Sequence, residues 1–259
     1  MNKAELFEFL QKIHVTPNKK LSQNFLIDPL IPEKILKIAD VRPDDLILEI
    51  GPGPGALTQK LLEAKAHVVC VEKDPIFAKE LLRFDGQLEI HQTSILDFSF
   101  KLDPNVSWKI VANLPYHITT PILELLCKHF HLFSSFTLMV QKEVAEKIIG
   151  KKETAFLTIF LQFYTNYIDS FEVDRTCFYP SPNVDSTVIR LDVKKTLPMD
   201  PAQFFPDVKL AFSQKRKMIT STLKKKHPDI AATLRSLNIP VQSRPHHLSL
   251  QDWIQLIKA

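Results

Sequence analysis

A glycine-rich segment, LEIGPGPGALT at residues 48–58, is the first place where this sequence could hold a ligand. It contains Gly51, Gly53 and Gly55, which are three of only five glycines in 259 residues. Glycine lets a backbone approach a ligand closely, and a helix that begins just afterwards offers free N–H groups. The GxGxG spacing differs from the GxGxxG of nicotinamide-binding proteins, and no Lys-Ser/Thr pair follows, as a P-loop would need. A structural turn without a ligand is the alternative.

Two further segments also follow apolar runs. Glu72 ends the run HVVCVE, 21 residues after Gly51, and an acidic residue there can accept hydrogen bonds from both hydroxyls of a ribose. The segment Asn113-Leu114-Pro115-Tyr116 follows another apolar run. Its amide and backbone carbonyls can accept hydrogen bonds from an exocyclic amino group, and the Tyr116 ring can stack on the base that carries this group. The three segments favour an adenosine-containing ligand beside a base; a surface glutamate and a plain loop are the alternatives.

The elements that must position these segments alternate between strand and helix. Strands are predicted at residues 46–50, 67–72, 88–91, 109–113 and 136–140, and helices at 5–13, 29–39, 56–64, 75–83, 121–129 and 141–149. Strands separated by helices of this length predict βαβ units and a mostly parallel sheet. Two later strands, 167–173 and 187–193, have no helix between them, so we expect an antiparallel edge. The predicted fold class is therefore α/β and Rossmann-like.

The last part of the chain differs from the rest in its predicted secondary structure and in its charge. Apolar residues recur at helical spacing over residues 208–223, and further helices are predicted near 229–237 and 250–257. From Asp200 onward there are ten Lys and Arg against four Asp and Glu, whereas the whole chain carries a net charge of only +4. We therefore predict a first domain at residues 1–195 and a small, basic, all-helical domain at residues 196–259 that binds a polyanion. A solvated basic face is the alternative.

Composition excludes several classes of protein. The chain is 45% apolar and 24% charged, which is typical of a globular protein and excludes disorder throughout. We expect no membrane span and no leader, because no apolar run reaches about 18 residues and the first twenty lack a signal peptide's apolar core. Three widely spaced cysteines without a CxxC predict free thiols in a cytoplasmic protein. The nine histidines show no metal-binding spacing, so no metal is expected.

In this order, the segments resemble the KsgA (RsmA) family of small-subunit ribosomal RNA adenine dimethyltransferases, from about Lys20 to the end of the chain. The matching segments are LSQNFLID (21–28), EIGPGPGALT (49–58), VEKD (71–74), ANLPYHITTPIL (112–123), MVQKEVAEKI (139–148), CFYPSPNVDSTVIRL (177–191) and AFSQKRKMITSTLK (211–224). A generic methyltransferase would share only the first two or three of these blocks. The whole series therefore identifies the family much more narrowly than the glycine-rich turn does.

The resemblance implies a Rossmann-like methyltransferase domain that uses S-adenosylmethionine. The implied reaction is the N6,N6-dimethylation of two adjacent adenosines in a hairpin near the 3′ end of 16S rRNA, within the small ribosomal subunit or its precursor. It also implies a role in ribosome biogenesis, and we expect a monomer. The residues implied to bind the cofactor are Asn24, Leu26, Gly51, Glu72, Ser94 and Asn113.

The resemblance also assigns the residues around the target adenine. Asn113 and the carbonyl of Leu114 would receive the N6 hydrogens, with Pro115 shaping the backbone between Leu114 and Tyr116. Tyr116 would stack on the adenine, and Phe178 would cover its other face. The alternative for Phe178 is a core aromatic.

Two positions depart from the family pattern. Ser94 stands where the family usually has an Asp that contacts the cofactor's adenine, and Asp97 follows three residues later. We expect Ser94 to face that adenine and Asp97 to lie too far away, because three extended residues span up to ~10 Å. Thr154-Ala155 replaces a frequent Tyr-Gly pair, and nothing in the sequence explains that change.

Three other functions remain open at this point. The related 23S rRNA methyltransferases that confer macrolide resistance share the early motifs, but the AFSQKRK block at residues 211–217 argues against them. A non-catalytic ribosome assembly factor is disfavoured by the intact Asn-Leu-Pro-Tyr segment. A nicotinamide oxidoreductase is disfavoured by the GxGxG spacing.

Overall fold

The computed structural model describes residues 1–17, 23–103, 105–151 and 153–259. Lys20, where the family resemblance begins, and the first two residues of LSQNFLID, Leu21 and Ser22, lie outside these ranges. In the part of the chain that is described, no helix combines the length and the hydropathy that a bilayer crossing requires.

The described residues form strands and helices in close alternation. The strands are β1 Phe25–Leu26, β2 Leu46–Ile50, β3 His67–Glu72, β4 Leu88–Gln92, β5 Trp108–Asn113, β6 Phe133–Gln141, β7 Thr165–Val173, β8 Phe178–Tyr179 and β9 Ser186–Val193. The helices are α1 Lys3–Lys12, α2 Leu30–Ile38, α3 Ala56–Glu63, α4 Pro75–Glu80, α5 Thr119–Lys128, α6 Lys142–Ile149, α7 Phe156–Tyr164, α8 Pro201–Ser213, α9 Ile219–Leu223, α10 Ile230–Ser236 and α11 Leu250–Lys258.

Seven strands form one sheet in the order β4-β3-β2-β5-β6-β9-β7. The neighbours from β4 to β6 are parallel, and β9 is antiparallel to β6. This arrangement confirms the predicted α/β class, a mostly parallel sheet with an antiparallel strand near one edge. The chain runs outward from β2 through β3 to β4 and then returns to β5 on the other side of β2. The strand order therefore reverses between β2 and β5, and ligands bind at such a point in open α/β sheets, outside the carboxyl ends of the strands.

The central strands are buried because their sequences are apolar on both faces. In β2 and β3, Ile47, Leu48, Val68 and Cys70 are 0–1% exposed, which is typical of parallel strands covered by helices on both sides. Strand β3 passes directly into α4 because Asp74 caps that helix, its side chain accepting a hydrogen bond from the Ile76 N–H at 2.9 Å. The cap thereby fixes the backbone just after β3, where α4 begins.

The chain folds into two compact units. The first unit is residues 1–145 with 166–193, and it contains the sheet. The second unit is residues 146–165 with 194–259, and it is helical. Its interior is aromatic: Phe163 stacks on Phe204 at 4.6 Å between ring centroids, and Trp253 is fully buried. The predicted domain division at residue 195 stays a prediction.

One helix predicted for the second unit is wrong. The apolar spacing over residues 208–223 predicts a single helix, but α8 ends at Ser213 and α9 begins at Ile219. Gln214 leaves the helical conformation, with φ −129° and ψ 49°. The N–H of Ile219 donates to the carbonyl of Ser243 at 2.9 Å instead of continuing a helix. A tertiary hydrogen bond here overrides local helical spacing, which is a weak determinant by itself.

Candidate active site

A cavity lies at the carboxyl ends of β2, β3 and β5, in the first unit. Nine of the ten predicted site residues line it: Asn24, Leu26, Gly51, Glu72, Ser94, Asn113, Leu114, Pro115 and Tyr116. Because neighbouring parallel strands end at the same edge of a sheet, the residues that follow them meet there although they are far apart in sequence.

The glycine-rich turn lines this cavity, and its backbone needs glycine. Gly53 and Gly55 have φ angles of +54° and +85°, a region that side chains other than glycine rarely adopt. A Cβ on Gly55 would lie only 2.3 Å from the Phe84 ring, and one on Gly53 would lie 3.1 Å from the Phe25 ring. The turn is therefore packed tightly between two aromatic side chains and leads into α3, with Gly55 as the N-cap.

Glu72 connects this turn to the end of β3. Its Oε2 accepts a hydrogen bond from the Gly53 N–H at 2.9 Å, and its Oε1 accepts one from the Asp74 N–H at 2.8 Å. The residue is only 7% exposed, and burial raises the pKa of its carboxyl, while the two backbone bonds act in the opposite direction. A carboxylate has about four acceptor positions, so these two bonds leave capacity for hydroxyl donors from the cavity.

Asn113 presents an acceptor without a partner. Its Nδ2 donates to the backbone carbonyl of Asn24 at 3.4 Å, and because a carbonyl only accepts, the amide nitrogen must face it. The Oδ1 then lies on the other side, buried and without a hydrogen-bond partner among the described residues. Leaving a buried acceptor unsatisfied costs about 1–3 kcal/mol, so this atom is placed for a donor on a ligand.

The next residues of the segment complete the wall. The Leu114 N–H donates to the Met139 carbonyl at 3.1 Å, which holds the segment against the end of β6, and no backbone N–H in the described ranges donates to the Leu114 carbonyl. The Tyr116 hydroxyl lies 2.6 Å from the Oγ of Ser186. Burial raises the pKa of the Tyr116 hydroxyl, so it stays protonated at neutral pH.

Ser94 lies in the lining of the cavity, whereas Asp97 and Phe178 do not. Ser94 lines the cavity, and its Oγ accepts a hydrogen bond from the Leu96 N–H at 3.2 Å. Asp97 is exposed and is not among the lining residues. Phe178 is 2% exposed in the core cluster, where β8 pairs it with Leu26. It is thus packed as a core aromatic, and its contact with a target base stays a prediction.

Comparison with known proteins identifies the family. Residues 15–259 match the ribosomal RNA adenine dimethylase family. The chain belongs to this family. Among curated proteins, this dimethylase is 46% identical to ribosomal RNA small subunit methyltransferase A of Protochlamydia amoebophila, covering 98% of this chain and 94% of that protein. The protein of the same name from Chlamydia felis is 40% identical, covering 98% and 93%.

Solved structures agree with this assignment. A dimethyladenosine transferase from Plasmodium falciparum superposes with a TM-score of 0.75 at 26% identity, covering 90% of this chain and 95% of that one. The 23S rRNA methyltransferase ErmE superposes with a TM-score of 0.74 at 27% identity, covering 91% and 98%. As a member of the family, the dimethylase is an enzyme that depends on S-adenosylmethionine.

The lining of the cavity fits that cofactor. S-adenosylmethionine carries ribose hydroxyls and amino groups, and the cavity offers open acceptor capacity at Glu72 and an unpartnered acceptor at Asn113. Gly51 and Gly53 of the positive-φ turn bring backbone without a side chain to the cavity lining.

Glu49 is a cavity residue that the sequence motifs do not single out. It lies 1% exposed in β2, opposite Cys70 in β3, whose Sγ is 3.5 Å from its Oε2. Burial raises the pKa of Glu49 to about 8, and the nearby charge of Glu72 also raises it. One signal could have found it: a single acidic residue interrupts the apolar run LILEI directly before the glycines.

The raised pKa of Glu49 predicts how stability changes with pH. Between its ordinary value of 4.5 and about 8, the folded chain holds a proton that the unfolded chain has released. This contribution to the free energy of unfolding is therefore fully present below pH 4.5 and is lost as the pH rises toward about 8. Relative to Glu49→Gln, the wild type should lose roughly 1 kcal/mol per pH unit across this window. Urea unfolding of both proteins at several pH values measures this, and parallel pH profiles would contradict it.

Proposed function

We propose that this dimethylase modifies two adjacent adenosines in a hairpin near the 3′ end of 16S rRNA, within the small ribosomal subunit or its precursor, with a role in ribosome biogenesis. The curated relatives that carry a small-subunit name are 37–46% identical over 97–98% of the chain. The identity to the 23S enzyme ErmE is lower, at 27%. These relatives support the small-subunit substrate, and the unpartnered Oδ1 of Asn113 is the observation that carries amino-group chemistry.

The residues of the segment 113–116 would act on the nucleophile. The lone pair of an adenine amino group is delocalised into the ring, which makes N6 a poor nucleophile. Hydrogen bonds from N6 to Asn113 Oδ1 and to the Leu114 carbonyl would favour a pyramidal nitrogen and orient its lone pair. The same acceptors and the face of the Tyr116 ring would stabilise the positive charge that develops on N6. Pro115 fixes the backbone between Leu114 and Tyr116.

S-adenosylmethionine, when bound, supplies a methyl group on a sulfonium with a neutral leaving group. We assign its ribose to Glu72, its adenine to Ser94, and further contacts to Asn24, Leu26, Gly51 and Asn113. Holding the reacting groups in place supplies much of the remaining rate enhancement. After each transfer the methylated N6 is cationic and releases its proton to water, so the acceptors at N6 need not act as a strong base.

The basic helices of the second unit are proposed to bind rRNA phosphates, and residues 196–259 are proposed as an RNA-binding domain. Lys215, Arg216 and Lys217 are exposed in the turn between α8 and α9. Phosphate contacts position an RNA without reading its sequence, so selection of the target would depend on RNA shape and on the extruded adenine. We further propose that the enzyme works as a monomer in the cytoplasm, where its substrate is assembled.

The substrate and the role of Asn113 are tested together. Small and large ribosomal subunits that lack the modification are incubated with the protein and labelled cofactor, and both rRNAs are mapped by mass spectrometry. We expect two adjacent dimethyladenosines near the 3′ end of 16S rRNA. Asn113→Ala should slow transfer at least tenfold, or about 1.4 kcal/mol, while cofactor affinity falls much less.

Three outcomes would count against this proposal. Label in 23S rRNA would reassign the substrate. No label with intact cofactor binding would point to an assembly factor. Normal turnover of Asn113→Ala would remove that residue from the reaction.

Ser94 provides a test of the cofactor assignment. An Asp at this position could still cap the turn at Leu96, and its charged acceptor would make a bond roughly twice as strong as that of a hydroxyl. We expect Ser94→Asp to tighten cofactor binding by about 1 kcal/mol, measured by calorimetric titration. Asp97→Ala is the matched control and should leave the affinity unchanged. If neither variant changes it, position 94 does not face the cofactor's adenine; a loss with Asp97→Ala would move the contact to Asp97.

The three basic residues in the turn between α8 and α9 should determine the salt dependence of RNA binding. Replacing Lys215, Arg216 and Lys217 by Ala should reduce the slope of log affinity against log salt by roughly one unit for each phosphate that is no longer bound. A control with the same change in charge replaces the exposed residues Lys12, Lys34 and Lys37 of the first unit. Filter binding to small-subunit RNA over a salt series measures both slopes. Equal slopes for the two triple variants would leave the turn as a solvated surface.

A further inference from the structure

Ser186 is a fully buried residue whose hydroxyl is paired with a ring that lines the active site. It is 0% exposed, and its Oγ lies 2.6 Å from the Tyr116 hydroxyl. A bond this short between two hydroxyls is at the strong end of the normal range. Tyr116 lines the cavity, so a residue of the cavity wall has its hydroxyl held by a buried group.

The antiparallel direction of β9 is what brings Ser186 to this edge of the sheet. The site is formed at the carboxyl ends of parallel strands, and an antiparallel strand instead begins there. Ser186 is the first residue of β9 and pairs with Gln141, the last residue of β6. Tyr116, which follows β5, therefore reaches across the end of β6 to contact the start of β9.

The start of β9 is itself held firmly. The carbonyl of Asp185 accepts a hydrogen bond from the Lys142 N–H at 3.0 Å, and its side chain accepts one from the Arg175 N–H at 3.1 Å. These bonds fix the backbone next to Ser186 from two separate segments. Ser186 is thus well placed to hold the Tyr116 side chain through its hydroxyl.

We infer that Ser186 is a positioning residue, which fixes the plane of the Tyr116 ring through its hydroxyl so that the ring face is presented to the target adenine. The Tyr116 hydroxyl is then hydrogen-bonded to Ser186 and takes no part in proton transfer. The inference depends on the proposed stacking role of Tyr116. It adds that the orientation of the ring, as well as its presence, contributes to the rate.

The proposed test is a double-mutant cycle on methylation of unmodified small subunits. Ser186→Ala and Tyr116→Phe each remove the hydrogen bond from one side while keeping the ring. Each should slow single-turnover methyl transfer about fivefold, which is about 1 kcal/mol, and the double variant should be no slower than either one. Calorimetric cofactor affinity should stay within about twofold of wild type in all three.

The products give a second readout. Dimethylation requires two transfers to the same nitrogen, so a slower second transfer gives the monomethylated RNA more time to dissociate. Monomethyladenosine should therefore accumulate in both single variants. Ser135→Ala is the matched control: Ser135 is 3% exposed in the neighbouring strand β6, and its Oγ has no hydrogen-bond partner among the described residues. This control should transfer methyl groups at the wild-type rate.

The outcomes separate this inference from the proposed function. If the wild type does not methylate small subunits, the proposed function fails before the variants are considered. If the wild type is active and Ser186→Ala matches it in rate and product ratio, the inference is wrong. Additive losses in the double variant, or equal losses in Ser135→Ala, would also overturn it, because the effect would then not pass through the bond to Tyr116.

Discussion

The site depends on one buried carboxylate that joins the ends of two strands. Glu72 accepts a backbone hydrogen bond from the glycine-rich turn after β2 and another from the turn after β3. Because a buried carboxylate is costly unless its oxygens are satisfied, the two turns hold each other in place through it. Phe25 then packs on Gly53, and α1 packs on Phe25 through Leu6 and Leu10. The glycine-rich turn is therefore held by the hydrogen bond to Glu72 and by packing against Phe25.

Sheet topology decides which chemical groups can join this loop. The reversal of strand order places the end of β5 beside the end of β2, so Asn113 stands next to the glycine-rich turn. The antiparallel strand β9 brings the start of a strand to the same edge, which supplies Ser186 behind Tyr116. A purely parallel sheet would present only strand ends there. The antiparallel strand thus holds the hydroxyl of a cavity-lining residue, Tyr116, as well as forming part of the core.

The sequence predicts the elements of the first unit well because their patterns are local. The predicted bounds of β2 and β3 are those of the structure, since apolar runs bounded by glycine or acidic residues are unambiguous. Features that depend on distant contacts are not predictable in this way. The break between α8 and α9 depends on a bond from Ile219 to Ser243, and the buried environment of Glu49 depends on its neighbour Cys70 in β3. The environment of Phe178 is also not predictable from the sequence, since no local pattern distinguishes a buried core aromatic from an aromatic that stacks on a base.

Two polar groups of the cavity lining carry a cost that an apolar core does not. Asn113 keeps a buried acceptor without a partner among the described residues, and Glu49 keeps a carboxyl whose pKa burial raises to about 8. An apolar side chain of similar size at either position would remove this cost, but it would also remove a hydrogen-bonding group from the cavity lining. The surrounding core of fully buried aliphatic side chains in β2, β3 and β5 offsets these costs. Stability is thus concentrated in the buried strands, while Glu49 and Asn113 place polar groups of the cavity lining near the carboxyl ends of β2 and β5.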